Sequence, residues 1–452
     1  MVENIELTKG EVNNANNKEE DSSKNTTIKS IILLLYVIVS VVGEFFYREP
    51  LYQQSLDFES SWQRNAWDFT KTFYSIITNL GGEYCLILYL IVIYFFFPLT
   101  KSFCFIVGVI VCNFIDNLMK LWFHDPRPFW EKDRELFSGF CDGGFGNPSG
   151  HSFTSTFTYL GVFKLLSQTQ IVSKHTWLKM TLFVFCVLMI IGIVLSRVIL
   201  GMHSLNQVFY GCSLGLAVYY LQFHILYMQN MKIESFTKLF TSMKNLIIST
   251  VIFFISFLVL LLSYLLIDYT AVTKDYSDDK SILFTKCPQY KTEKIYRKFE
   301  NDGFFGGLTL FCLMGAYYGQ YFLWYRIHSV YGDNRDELVN KWVYNREGVY
   351  TSFISILKVI GIIILCALPM SIYLITFPNN LTIIFIFKVS IPFFITLFLL
   401  YGPGLYLMIS LGLCNMKIFL KGTEEETAKL VETILLVYLI FYIFIYSKIA
   451  HL

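Results

Sequence analysis

Residues 147–151 read Asn147-Pro148-Ser149-Gly150-His151 and open a largely apolar run; further along, Ser196-Arg197 closes a second such run and His203 opens a third. The first stretch has the form of a helix start. Asn is a favoured N-cap, Pro suits the first helical position because the N–H it lacks has no partner there, and Ser149 and Gly150 follow with backbone N–H groups free to donate. Orphan donors at the positive end of a helix dipole attract an anion, and Gly150 permits close approach. Apolar helices carry ionisable groups only at a cost, so two histidines and an arginine at their ends point to chemistry.

The apolar character runs through the chain. Of its 452 residues 55% are hydrophobic and 15% charged, with a mean hydropathy of +0.52, far from the soluble average. The expected fold class is an all-α, polytopic integral membrane protein. A formal net charge of +2 supplies no basic field for nucleic acid. Most of the ten cysteines lie in or beside apolar runs, where cysteine acts as a small hydrophobe. Cys141 and Cys287 fall in polar loops and read as free thiols, with a disulfide as the alternative. No cysteine has metal-ligand spacing.

A membrane span needs about 20 apolar residues, and by that measure the sequence offers roughly eleven. They include 30–47, 83–99, 102–123, 149–167, 177–200 and 203–227, and the last is 428–447. Residues 1–29 are polar and low in complexity and read as a disordered tail. The motifs fall in a core spanning 30–228, and 245–452 holds further spans of unassigned role. Residues 51–82, with Trp62, Trp67, Phe69 and Phe73 among polar neighbours, read as an interfacial helix. Gly402-Pro403-Gly404 interrupts the tenth run.

Counting spans puts Lys120, Arg127, His151, Arg197 and His203 on one side of the membrane, where they can converge at the end of a bundle. Lys101, Lys174, Lys179, Lys232, Lys238 and Lys244 flank spans on the opposite side. Because cytoplasmic loops carry the excess of basic residues, the motif side is expected to face a lumen or the cell exterior. The expected location is the endoplasmic reticulum or another endomembrane.

Beside a phosphate held at the helix start, a protonated His151 can give its proton to a leaving alcohol, a role worth about 10²- to 10⁴-fold in rate. His203 is the candidate nucleophile, attacking phosphorus through a ring nitrogen to form a phosphohistidine. Lys120, Arg127 and Arg197 would neutralise the phosphate oxygens, arginine through its planar fork and lysine as a point charge. This chemistry calls for no metal and no cofactor.

These residues resemble the signature of the type 2 phosphatidic acid phosphatase and vanadium haloperoxidase superfamily. The matching parts are Lys120 with Arg127-Pro128, Pro148-Ser149-Gly150-His151, and Ser196-Arg197 with His203, in that order. The resemblance runs from Glu83 to Met228 and implies a six-helix phosphatase bundle with these residues in the roles just given. It departs at Gln207, where the family pattern has an aspartate one helical turn after the nucleophile. The Gln207 amide oxygen can still accept the Nδ1 proton of His203 and orient the ring, although it stabilises a cationic ring less than a carboxylate does. Gln207, Arg127-Pro128-Phe129-Trp130 and the approach Cys141-Asp142-Gly143-Gly144-Phe145-Gly146 are similar to the glucose-6-phosphatases. Gly201-Met202-His203-Ser204 is similar to the sphingosine-1-phosphate phosphatases.

The expectation is a metal-independent membrane phosphatase that hydrolyses a phosphate monoester, foremost a lipid phosphate of the sphingoid base phosphate or phosphatidic acid type, among membrane lipids. The alternatives are a sugar phosphatase like the glucose-6-phosphatases, and a catalytically silent scaffold or transporter that kept the bundle. Asp116, one turn before Lys120, reads as its ion-pair partner. Asp125 and Asp142 could each orient an arginine, although loop carboxylates are more often solvated, and Trp122, Phe123, Phe129 and Trp130 could line an acyl-chain or sugar entrance, with an interfacial aromatic belt the preferred reading.

Overall fold

The computed structural model describes residues 9–65, 67–97, 99–130, 144–226, 230–231, 233–270, 295–331, 353–369 and 384–410. Every regular element among these residues is helical, as hydrocarbon requires of a backbone that must close its own hydrogen bonds. The core is built from α1 (Lys9–Asn65), α2 (Trp67–Asn79), α3 (Glu83–Phe96), α4 (Leu99–Phe123), α5 (Gly150–Ser167), the short α6 (Gln170–Lys174), α7 (Thr176–Ile199) and α8 (Leu205–Tyr220). Beyond it come α9 (Ile233–Thr241), α10 (Met243–Thr270), α11 (Ile295–Gly307), α12 (Leu310–Tyr331), α13 (Phe353–Ala367), α14 (Ile391–Tyr401) and α15 (Pro403–Ser410).

The centre of the core is α5, which packs on α4, α7 and α8, while α1 lies along α8. Small residues let α5 and α8 approach closely. A Cβ at Gly211 would stand 2.7 Å from the Ser149 carbonyl oxygen, and one at Gly215 would stand 2.6 Å from that of Phe153, the small-xxx-small arrangement of packed membrane helices. Phe105, Phe153, Phe157, Tyr210 and Phe223 fill the surrounding space and are fully buried. The hydroxyls of Thr154 and Thr156 donate back to the carbonyls of Gly150 and Ser152, both at 2.7 Å, so this polar row leaves few demands on its neighbours.

Six segments are long and apolar enough to cross a membrane: Asn25–Gln63, Leu99–Trp130, Thr176–Ile199, Leu205–Ile225, Met243–Leu266 and Ile391–Met408. The protein is an all-helical integral membrane protein, but the count of eleven spans is not reached among the described residues. α5 carries five Ser and Thr residues before Tyr159, which lower its hydropathy, and other helices cover it. α3 has 14 residues, and 428–447 lies outside the described residues.

α1 starts at Lys9, inside the stretch expected to be a disordered tail. Once the apolar span has nucleated a helix, adding each further residue costs little. The same helix runs to Asn65, so 51–82 is the end of α1 followed by α2 rather than one interfacial helix. Gly402 separates α14 from α15. Cys85, Cys104, Cys112, Cys186, Cys212, Cys312 and Cys366 are free thiols; Cys141 and Cys287 lie outside the described residues.

The later helices brace the core on α4. Gly303 and Gly306 of α11 sit over Leu121 and Asn117, and the Trp122 indole N–H donates to Ser263 Oγ of α10 at 2.8 Å. That support falls on the turn of α4 that carries Lys120.

Candidate active site

Lys120 occupies the last turn of α4, and its Nζ lies 2.8 Å from Asp116 Oδ2. This is the expected ion pair. It faces the start of α5, for a Cβ at Gly150 would lie 2.8 Å from the same Asp116 oxygen. Arg127 is buried beyond the end of α4. Its Nε donates to the Gly144 carbonyl at 2.9 Å and one terminal nitrogen donates to the Met202 carbonyl at 3.3 Å.

The helix start is displaced from the expected one. α5 begins at Gly150, and its N-cap is Ser149, whose Oγ accepts from the Ser152 N–H at 3.5 Å. Asn147 does not cap: its Nδ2 donates to Glu44 Oε1 at 2.7 Å and to Asp125 Oδ2 at 2.8 Å, which turns the side chain toward those carboxylates, and its Oδ1 accepts no hydrogen bond. The Ser149 N–H donates to the Gln207 carbonyl at 3.0 Å, so it is docked on α8 and not free for an anion. The anion-binding capacity therefore rests on the first turn of α5, whose N–H groups lack intrahelical acceptors, with Gly150 leading.

Arg197, buried in the last turn of α7, donates to Thr78 Oγ1 at 3.0 Å. Thr78 closes α2, and the turn after it passes His151: a Cβ at Gly82 would be 3.7 Å from His151 Nε2. The Tyr159 hydroxyl fastens this turn by donating to the Leu80 carbonyl at 3.1 Å. The α2–α3 turn thus forms a wall between Arg197 and His151, although no motif pointed to it.

His203 has two neighbours of fixed polarity. Its Nδ1 lies 2.8 Å from the Gly146 carbonyl, which can only accept, so Nδ1 carries the proton. Its Nε2 lies 3.2 Å from a terminal nitrogen of Arg127, which can only donate, so Nε2 presents a lone pair. Burial, then the charges of Arg127, Arg197 and Lys120, hold the ring well below the ordinary histidine pKa, against a smaller opposing effect of Gly146. The Gly146 carbonyl on one side and Arg127 on the other thus fit a neutral imidazole, and the charges of Arg197 and Lys120 act on it as well. Gln207 Oε1 also approaches Nδ1, at 3.2 Å, but it accepts the Ser204 N–H at 3.3 Å as part of a capping box. Its Nε2 donates to the Pro126 carbonyl at 2.8 Å. The ring is thus oriented by Gly146 and Gln207 together, with Gly146 the nearer.

The sequence profile of the PAP2 superfamily matches residues 101–231, which hold all three motifs. This segment belongs to the PAP2 superfamily. Members of the PAP2 superfamily are phosphatases. No curated protein matches the chain. Among solved structures, a crystal structure described as the first transmembrane PAP2 type phosphatidylglycerolphosphate phosphatase from Bacillus subtilis is similar at 21% identity, over 43% of this chain and 93% of that one, with a TM-score of 0.36.

Two expectations inside the PAP2 segment are corrected. Asp125 is not solvated: it is buried and ion-paired with Arg48. Phe129 and Trp130 are core residues rather than an interfacial belt, at 0% and 3% exposure, because the loop that carries Arg127 turns inward; Trp122, at 56%, does face outward. Asp142 lies outside the described residues. Thr78, Glu44 and Arg48 lie before the PAP2 segment. The available signal for the last two was a pair of opposite charges one helical turn apart at the end of the first apolar run.

Proposed function

We propose that the protein is a membrane phosphatase that hydrolyses a lipid phosphate monoester through a phosphohistidine on His203. The observation that carries this reading is the neutral His203 ring, with its Nε2 lone pair facing Arg127 and the charges of Arg127, Arg197 and Lys120 acting on it. A phosphate entering between them would draw the Arg127 guanidinium from Nε2 onto its own oxygens, which exposes the nucleophile as it neutralises the electrophile.

In the first step Nε2 attacks phosphorus, the P–N bond forms, the bond from phosphorus to the leaving oxygen breaks, and His151 gives that oxygen a proton. In the second, His151 takes a proton from water, the water oxygen attacks phosphorus, and the P–N bond electrons return to Nε2. Lys120, Arg127 and Arg197 hold the oxygens, the first turn of α5 led by Gly150 forms the cradle with Ser149 as its cap, and Gln207 and Gly146 orient His203. The lipid assignment is supported by a site at the ends of membrane helices. The proposed site faces a lumen or the cell exterior, in the endoplasmic reticulum or another endomembrane.

Purified protein should release phosphate in a vanadate-sensitive manner, faster from a long-chain phosphate than from a soluble sugar phosphate in the same detergent. His203→Ala should abolish turnover and acid-labile phosphate labelling. His151→Ala should slow release from an alkyl phosphate far more than from an aryl phosphate with a good leaving group. Full activity of His203→Ala would refute the mechanism, and preference for the sugar phosphate would replace the lipid assignment.

A further inference from the structure

Glu44 lies in the first membrane span, Asn25–Gln63, ahead of the PAP2 segment and outside every motif. Its side chain is fully buried. An ionisable residue in such a place is expensive and calls for a reason. Its Oε1 accepts from Asn147 Nδ2 at 2.7 Å and from Asn206 Nδ2 at 3.1 Å. Asn147 precedes the Ser149 cap of α5 by two residues, and Asn206 is in the first turn of α8, just after His203. One oxygen of α1 therefore joins the approach to the phosphate cradle to the helix that presents the nucleophile.

The neighbouring turns of α1 repeat the pattern. Arg48 pairs with Asp125 and donates to the Phe123 carbonyl at 3.4 Å. Asp125 takes the other Asn147 amide contact at 2.8 Å, and its backbone carbonyl accepts the Gly146 N–H at 2.8 Å. Ser55 Oγ accepts the Leu205 N–H at 2.9 Å, and Gln63 donates to the Ile199 carbonyl at 3.2 Å. One face of α1 thus grips the loop after α4, the approach to α5 and the α7–α8 loop.

We propose that Glu44 is a positioning residue that sets the distance between the cradle of α5 and the nucleophile at the head of α8. Its effect on rate rests on the phosphatase reading, whereas its effect on the two segments rests on the geometry alone. In-line attack needs the reacting atoms at about 3–3.5 Å, and a misplacement of about 1 Å can lower the rate by about 10²-fold. Close packing of α5 on α8 fixes the helix axes and the bond from the Ser149 N–H to the Gln207 carbonyl links their starts, while Glu44 adds the lateral tie through Asn147 and Asn206.

The test compares Glu44→Leu, which fills the space without an acceptor, with Glu44→Gln, which keeps an acceptor oxygen at the same reach. Amide hydrogen exchange in the leucine variant should quicken over 144–151 and 203–208 while α7 keeps its protection, and the glutamine variant should match wild type. In the leucine variant kcat should fall about 10²-fold, with KM and inhibition by inorganic phosphate unchanged. Vanadate inhibition should weaken in parallel with kcat, because a five-coordinate mimic must engage cradle and nucleophile together. Unchanged exchange in either segment, exchange quickened throughout the bundle, or equal weakening of phosphate and vanadate would each overturn the assignment. Glu44→Asp, which keeps the carboxylate and shortens its reach, provides the same readings if the leucine variant does not fold, and wild-type values in it would overturn the proposal. If wild-type protein releases no phosphate, the exchange data still decide the positioning role, and the phosphatase reading falls by itself.

Discussion

Replacing Gln207 by aspartate would restore the residue that the family pattern has at this position, and the geometry predicts that the protein loses by it. The Gln207 side chain is fully buried, and its Nε2 donates to the Pro126 carbonyl at 2.8 Å. A carboxylate cannot make that bond, and an orphaned buried acceptor costs about 1–3 kcal/mol. The side chain is also shorter by one methylene, which adds about 1 kcal/mol in lost burial. In return the substitution offers a charge to Nδ1 of His203, which already meets the Gly146 carbonyl at 2.8 Å. The expected sum for Gln207→Asp is a loss on the order of 2–4 kcal/mol, or several degrees in Tm for a domain of this size, without a gain in kcat. Thermal unfolding in one detergent, together with phosphate release at saturating substrate, would measure both. Gln207→Glu keeps the length and isolates the lost donor, so its loss should be about 1–3 kcal/mol. A tenfold or greater rise in kcat for Gln207→Asp at unchanged Tm would refute the reasoning, by showing that the Gly146 carbonyl does not serve the ring and that the amide is a compromise.

Other consequences can be measured in the same preparations. Gly211→Ala would drive a Cβ to 2.7 Å from the Ser149 carbonyl oxygen, and because backbone must move, it should cost about 1–3 kcal/mol and lower kcat by separating cradle from nucleophile. Thr78→Val removes the acceptor of the 3.0 Å bond from Arg197; a lost bond to a charged donor, worth about 1.5–3 kcal/mol, should lower Tm by several degrees, and kcat/KM should fall with it as Arg197 loses its anchor. The depressed pKa of His203 makes a signed prediction. Its folded pKa lies below the unfolded value of about 6.5, so the unfolded chain binds the extra proton first. Its contribution to stability should be intact above that pH and decline as the pH falls from there toward the depressed value; in His203→Asn this share of the acid sensitivity should vanish, and an unaltered pH dependence of Tm would contradict the assigned ring state.

The parts of the site that were legible in the sequence are those written over short stretches. Lys120 with Arg127, Ser149-Gly150-His151, and Arg197 with His203 could be placed at helix ends because apolar runs mark where helices lie, and span parity put the ends together. Parity is a matter of topology and does not depend on side-chain detail. The cap of α5 was misplaced by two residues for the opposite reason. Asn147 has the intrinsic preference to cap, but Glu44 and Asp125 accept from its Nδ2 and turn the side chain away from the helix start, and local propensity does not register partners brought in by tertiary packing. The count of eleven spans is not reached among the described residues for a related reason, since α5 lies inside a bundle and keeps hydroxyls that lower its hydropathy.

By itself the amino-acid sequence determined the helical membrane class and singled out the motif residues, because hydropathy and motif spacing are properties of a line. Only the tertiary structure decided the tautomer of His203, the wall formed by Thr78 to Gly82, and the grip of α1 on the site loops. Each depends on which carbonyl, guanidinium or carboxylate lies within about 3 Å, and hydrogen bonds of that length are set by packing between helices distant in sequence. The nucleophile could be named from its motif, but its protonation state required the carbonyl of Gly146 on one side of the ring and the arginine on the other.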